Sequence, residues 1–136
     1  MKPGKVFLDT GIYIALLNKR DRHHPQAVAL FGGSKPDWYT SILVWSEAHS
    51  WFLHRQGENA ARMFRTLASS LEGLEILGAD LSLHDETLQM LDRMRGARLT
   101  YVDASSLALM ARHDIRTAWS TDYDLSLTGA AVVPRP

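Results

Sequence analysis

The chain has 136 residues, 46% hydrophobic and 22% charged, a balance that can bury a core and that predicts one globular domain over residues 1–136. It contains no cysteine, which excludes disulfides and thiolate metal sites and points to a reducing cytoplasm. Its 15 basic and 15 acidic residues cancel to zero formal charge, which argues against a non-specific nucleic-acid coat protein but leaves room for local basic patches.

The opening MKPGKVFLDTG has no long apolar stretch before its first acid, so no signal peptide is expected. KVFL (5–8), apolar and bounded by Gly4 and Asp9, predicts a buried strand. GIYIALLNKR predicts a helix. HHPQAVALFGG predicts a short helix with Pro25 in its first turn and glycines at its end. FGGSKPDWY (31–39) is the strongest break in the chain. SILVWSEAHSWFLHRQG predicts a long helix stopped by Gly57, and NAARMFRTLASSL another, rich in good helix formers. LEIL (74–77) predicts a strand. In SLHDETLQMLDRMRG, Ser82 and Asp85 have capping-box spacing at the start of a helix. TYVDASSLALMARHD predicts a helix, TAWST (117–121) a strand, and AAVVP (130–134) a last strand stopped by Pro134. Apolar runs such as IYIALL and SILVW are too short to span a bilayer, so no membrane partner is expected. Strands alternating with helices predict an α/β fold with a parallel sheet, whose chemistry gathers at the carboxyl ends of its strands.

Asp9-Thr10-Gly11 matches the nucleophile triplet of aspartic proteases, but that chemistry needs a β scaffold and two such triplets. Here the triplet runs from a strand into a helix, so Asp9 or Thr10 caps that helix and a carboxylate is left at the sheet edge. Three further acids have unusual settings. Glu47 has Leu43, Val44, Ser50 and Trp51 three and four residues away, which places it on or beside the core stripe of its helix. Asp103 follows Thr100 by three, the spacing of a capping box. Asp122 and Asp124 follow a short apolar strand, in a position that also suits a turn. Carboxylates gathered at one sheet edge would repel one another unless a cation joined them. Oxygen donors without cysteine select a hard ion, Mg²⁺ or Mn²⁺. Such an ion suits phosphodiester cleavage, because it activates water and neutralises charge building on the phosphate.

With these residues in place the sequence resembles the PIN-domain nucleases, and most closely the small toxins of the VapC type. VFLDTGIYIALLN matches their first acid with Asp9, YTSILVWSEAHS their helical glutamate with Glu47, TYVDASSLALMA their helix-opening acid with Asp103, and STDYDL their last acid with Asp122, Asp124 being its rival. The last segment departs from the pattern: Ser120 holds the hydroxyl position and Leu125 replaces the usual aromatic. The resemblance implies a three-layer α/β/α fold with a central parallel sheet. It implies a Mg²⁺- or Mn²⁺-dependent endoribonuclease, toxin of a toxin–antitoxin pair, with an RNA substrate, a cognate antitoxin that blocks the acidic site, and a homodimer. On this reading Asp9, Glu47 and Asp103 hold the metal and Asp122 binds a second ion or orients the attacking water. Thr10 and Ser120 either donate to these carboxylates or serve as a cap and a turn residue.

The basic clusters, chiefly Lys19-Arg20 and Arg93-Arg95-Arg98, either hold RNA phosphates or form a solvated surface; RMFR (62–65) is another such cluster. His23, His24, His49 and His54 have no clear ligand spacing, and Trp38, Trp45, Trp51 and Trp119 read as core or interface residues. A receiver-type phosphotransfer module needs a late lysine, but the lysines lie at positions 2, 5, 19 and 35. A haloacid-dehalogenase-type phosphatase needs a second acid at position 11, which is Gly11. The remaining alternative is a catalytically inactive PIN-fold module that binds RNA or protein. Such a module would be expected to have lost acids that this chain keeps.

Overall fold

The computed structural model describes residues 4–134. The reading of the extreme amino terminus, including Lys2, and the last two positions of the expected domain lie outside the described residues. β1 (Lys5–Leu8) is the central strand, and its Val6, Phe7 and Leu8 are buried as their unbroken apolar run requires. α1 (Thr10–Leu17) and α2 (His24–Gly32) lead to β2 (Asp37–Ser41). α3 (Ile42–Gln56) and α4 (Glu58–Ser70) lead on to β3 (Glu75–Leu77). The chain then returns through α5 (Leu81–Arg93) and α6 (Tyr101–Arg112) to β4 (Thr117–Trp119), and a short 3₁₀ turn (Tyr123–Ser126) precedes β5 (Ala131–Val133).

Among the described residues the five strands are parallel, in the order β3-β2-β1-β4-β5. From β1 the chain steps outward twice to one side, then crosses to β4 on the other. Right-handed crossovers of opposite direction put α1–α4 on one face and α5–α6 on the other, giving α/β/α layers. The order reverses between β1 and β4, so a crevice opens where these two strands end, at Asp9 and Ser120.

The sequence predicts four strands; the structure has a fifth, β2, inside the segment read as a break. Trp38 is 4% exposed and Thr40 is fully buried, because β2 pairs with the central strand, Val6 opposite Trp38. The Thr40 hydroxyl donates to the Leu8 carbonyl at 2.9 Å, tying the two strands just below the crevice. Only residues 33–36 act as the break. Ser41 is the cap of α3 rather than its first residue, accepting from the Val44 N–H at 3.0 Å. α5 is capped by Asp80, not by Ser82: Asp80 accepts from the Leu83 N–H at 2.8 Å, so the helix begins two residues earlier than a Ser82 cap would place it. α1 stops at Leu17, leaving Asn18, Lys19 and Arg20 in the loop beyond it. Trp38 and Trp119 are buried around Phe31, whereas Trp45 and Trp51 are half-buried on α3. Among the described residues no helix is long and apolar enough to cross a membrane.

Candidate active site

Asp9 follows β1 and occupies the cap position of α1, but its side chain does not cap the helix. It turns instead toward β4, where the Ser120 hydroxyl donates to Asp9 Oδ2 at 2.7 Å. The same Ser120 oxygen accepts from the Asp122 N–H at 2.9 Å, so one buried hydroxyl bridges two acidic positions. The two chain segments approach so closely that a Cβ at Gly11 would overlap Thr121 Oγ1 and stand 3.2 Å from the Thr121 backbone nitrogen. That contact explains the third residue of the Asp-Thr-Gly triplet. Glycine early in a helix is conformationally costly, and here it lets two loops touch.

Glu47 is exposed and lies beside the buried stripe of α3, not on it. The Thr10 hydroxyl donates to its Oε1 at 2.5 Å. Asp103 forms the expected capping box, its N–H donating to Thr100 Oγ1 at 3.1 Å while its Oδ2 accepts from the Thr100 N–H at 3.4 Å. Asp122 caps the 3₁₀ turn, its Oδ1 accepting from the Asp124 N–H at 3.0 Å. Asp103, Asp122 and Asp124 each offer an oxygen within 4.8 Å of the others, whereas Asp9 and Glu47 lie outside this tight group. Both strand-end acids of STDYDL therefore face Asp103.

The electrostatics show how crowded this edge is. Burial pushes the Asp9 carboxyl up to about 7; the Ser120 hydroxyl and the Thr10 N–H oppose the rise, while Asp103 and Glu47 add to it. Asp103 is raised by its burial first and by Asp122 and Glu47 next, against the Thr100 hydrogen bonds. Asp124 is raised by desolvation, then by Asp122 and Asp103. Oxygen-only donors at short mutual distance, held against their own repulsion, fit a hard divalent cation. Each basic residue of the Lys19-Arg20 and Arg93-Arg95-Arg98 clusters is exposed, and among the described residues none of them has an ion pair.

A doubly wound parallel sheet with acids clustered at its switch point defines the class: an α/β protein with an acidic site at the carboxyl edge of its sheet. The chain belongs to the PIN domain family, whose model matches residues 6–130. It is 30% identical over 125 residues to the 23S rRNA-specific endonuclease VapC20 of Mycobacterium tuberculosis, covering 91% of this chain and 94% of that protein. The crystal structure of that VapC20, described as a sarcin-ricin loop cleaving toxin, superposes with a TM-score of 0.85 at 28% identity, covering 93% of this chain and 96% of that one. A toxin–antitoxin complex from Klebsiella pneumoniae shares the fold, with a TM-score of 0.66 at 19% identity over 94% of this chain and 95% of that one.

Proposed function

We propose that the chain is a single-domain, metal-dependent endoribonuclease and the toxin of a toxin–antitoxin pair, with 23S rRNA as its substrate. The observation that carries this reading is the convergence of Asp103, Asp122 and Asp124 within 4.8 Å beside Asp9 and Glu47, in a chain of the PIN family. The VapC20 similarity supports the substrate class. Asp9, Glu47, Asp103 and Asp122 are the catalytic carboxylates, with Asp124 beside them, and together they would hold Mg²⁺ or Mn²⁺. A bound divalent ion supplies charge neutralisation at the scissile phosphate and activates water.

The chain's own residues do the positioning. Ser120 orients Asp9, Thr10 orients Glu47, and Thr100 holds Asp103 at the start of α6. A cognate antitoxin covers this acidic edge, and the chain works in the cytoplasm. It acts as a homodimer, for which the exposed Leu81 and Leu88, seven residues apart on one face of α5, are the supporting observation. The test is induced expression in a bacterial host followed by mapping of rRNA ends. Growth arrest with a discrete 23S rRNA cut, absent for Asp9→Asn, is the expected result. Intact rRNA on expression of the folded wild type would overturn the substrate assignment.

A further inference from the structure

α3 carries Glu47 near its amino end, and the geometry of that helix leads away from the acids to a second site. At about 100° per residue, Ser50 and Ser46 fall between Glu47 and His49 on the outer side of the helix. Val44, Ala48 and Phe52 occupy the opposite, buried side. Ser46, Glu47 and Ser50 are exposed, so a small, uncharged ridge of roughly 15 Å runs around α3 from the acidic edge to His49.

Beyond that ridge lies a cavity of about 400 Å³ between α3 and α4, lined by His49, Leu53, Glu58, Asn59, Arg62 and Arg65 among others. Arg65 Nη1 lies 2.9 Å from His49 Nε2. A guanidinium can only donate, so in this contact the imidazole nitrogen is the acceptor. The His49 ring in turn stacks on Trp45, centroids 5.3 Å apart and planes within 7°. Arg65 is thus aimed by a stacked imidazole ring and not by a carboxylate. Arg62, one turn before it, is exposed and shares its face. Among the described residues neither arginine has an ion pair, although Glu58 lines the same cavity.

We propose that Arg62 and Arg65 bind backbone phosphates of the RNA substrate away from the scissile bond, with the strand crossing the Ser46–Ser50 ridge to reach Glu47. This rests on the ribonuclease reading given above. Two guanidinium groups in one cavity, neither in an ion pair among the described residues, suit phosphate oxygens, and a fixed backbone contact supplies register without reading sequence. His49 is a positioning residue that holds the Arg65 fork.

The test measures binding of a labelled single-stranded RNA oligonucleotide to the Asp9→Asn chain by anisotropy across a salt series. Arg62→Ala should weaken binding several-fold and reduce the slope of log affinity against log salt by about 0.7, and Arg62→Ala/Arg65→Ala should reduce it by about 1.4. Arg62→Lys should restore the slope of the single variant, since charge is kept. Arg116→Ala, at the opposite end of the sheet, should leave it unchanged. In the otherwise wild-type chain, Arg62→Ala should raise KM for cleavage and spare kcat. Arg62 is exposed and its side chain holds no hydrogen bond among the described residues, so its replacement does not threaten the fold. An unchanged slope and affinity in Arg62→Ala, with wild-type RNA cleavage intact, would overturn the proposal. Failure of the wild-type chain to cut any RNA would refute the ribonuclease reading itself, and the proposal with it.

Discussion

The buried carboxylate of Asp9 makes stability depend on pH in an unusual direction. Its carboxyl sits at about 7 in the folded chain against an ordinary 3.8. Between these values the unfolded chain has released the proton while the folded chain keeps it. Stability of the metal-free protein therefore falls as pH rises through that window, and flattens above it. At ~1.4 kcal/mol per pH unit the whole effect is about 4 kcal/mol, of which about 3 kcal/mol falls between pH 5 and 8. Asp9→Asn removes the charge and keeps an oxygen for the Ser120 hydroxyl. In EDTA at pH 8 this variant should be more stable than wild type by several kcal/mol, and the advantage should shrink toward pH 5. Urea unfolding followed by tryptophan fluorescence, on both proteins at both pH values, measures this. Taking the difference between the two chains cancels every contribution they share. An equal difference between the two proteins at pH 5 and pH 8 would refute the burial argument.

Three other perturbations follow from named contacts. Gly11→Ala drives a methyl group into Thr121 and should cost about 1–3 kcal/mol in a thermal melt, with part of the loss recovered by adding Thr121→Ala. Ser120→Ala removes the donor to Asp9 and should weaken Mn²⁺ binding by roughly 10–100-fold in calorimetry while the fold persists. Thr100→Ala breaks the capping box and should lower stability by about 1 kcal/mol in denaturant unfolding.

The parts of this molecule that were legible in the sequence are those set by local chemistry. KVFL followed by Asp9 announces a buried strand ending in an acid, and Thr100 with Asp103 announces a helix start. What was not legible depends on residues distant in the chain. β2 has the glycines, Lys35 and Pro36 directly before it, and its β-forming Trp38, Tyr39 and Thr40 are too few to outweigh that signal. Only pairing with β1 makes it a strand. Ser82 and Asp80 are both acceptable caps, and the choice rests on where the chain leaves β3. Asp122 and Asp124 are equal candidates as text. The 3₁₀ turn and the approach of α6 bring both to Asp103. The overlap of Gly11 with Thr121 likewise joins opposite ends of the sequence. His49 and Arg65 come from different helices, so neither the histidine spacing nor the RMFR cluster could disclose their pairing.

On the proposed function, the clustered acids at the switch point cut RNA through a divalent cation. The most direct measurement is incubation of purified, antitoxin-free protein with total cellular RNA in Mg²⁺, in Mn²⁺ and in EDTA, beside Asp9→Asn and Asp103→Asn. Discrete fragments that require the metal and vanish in both variants are the expected result. Equal cleavage by wild type and variants, or cleavage that persists in EDTA, would contradict the proposed function.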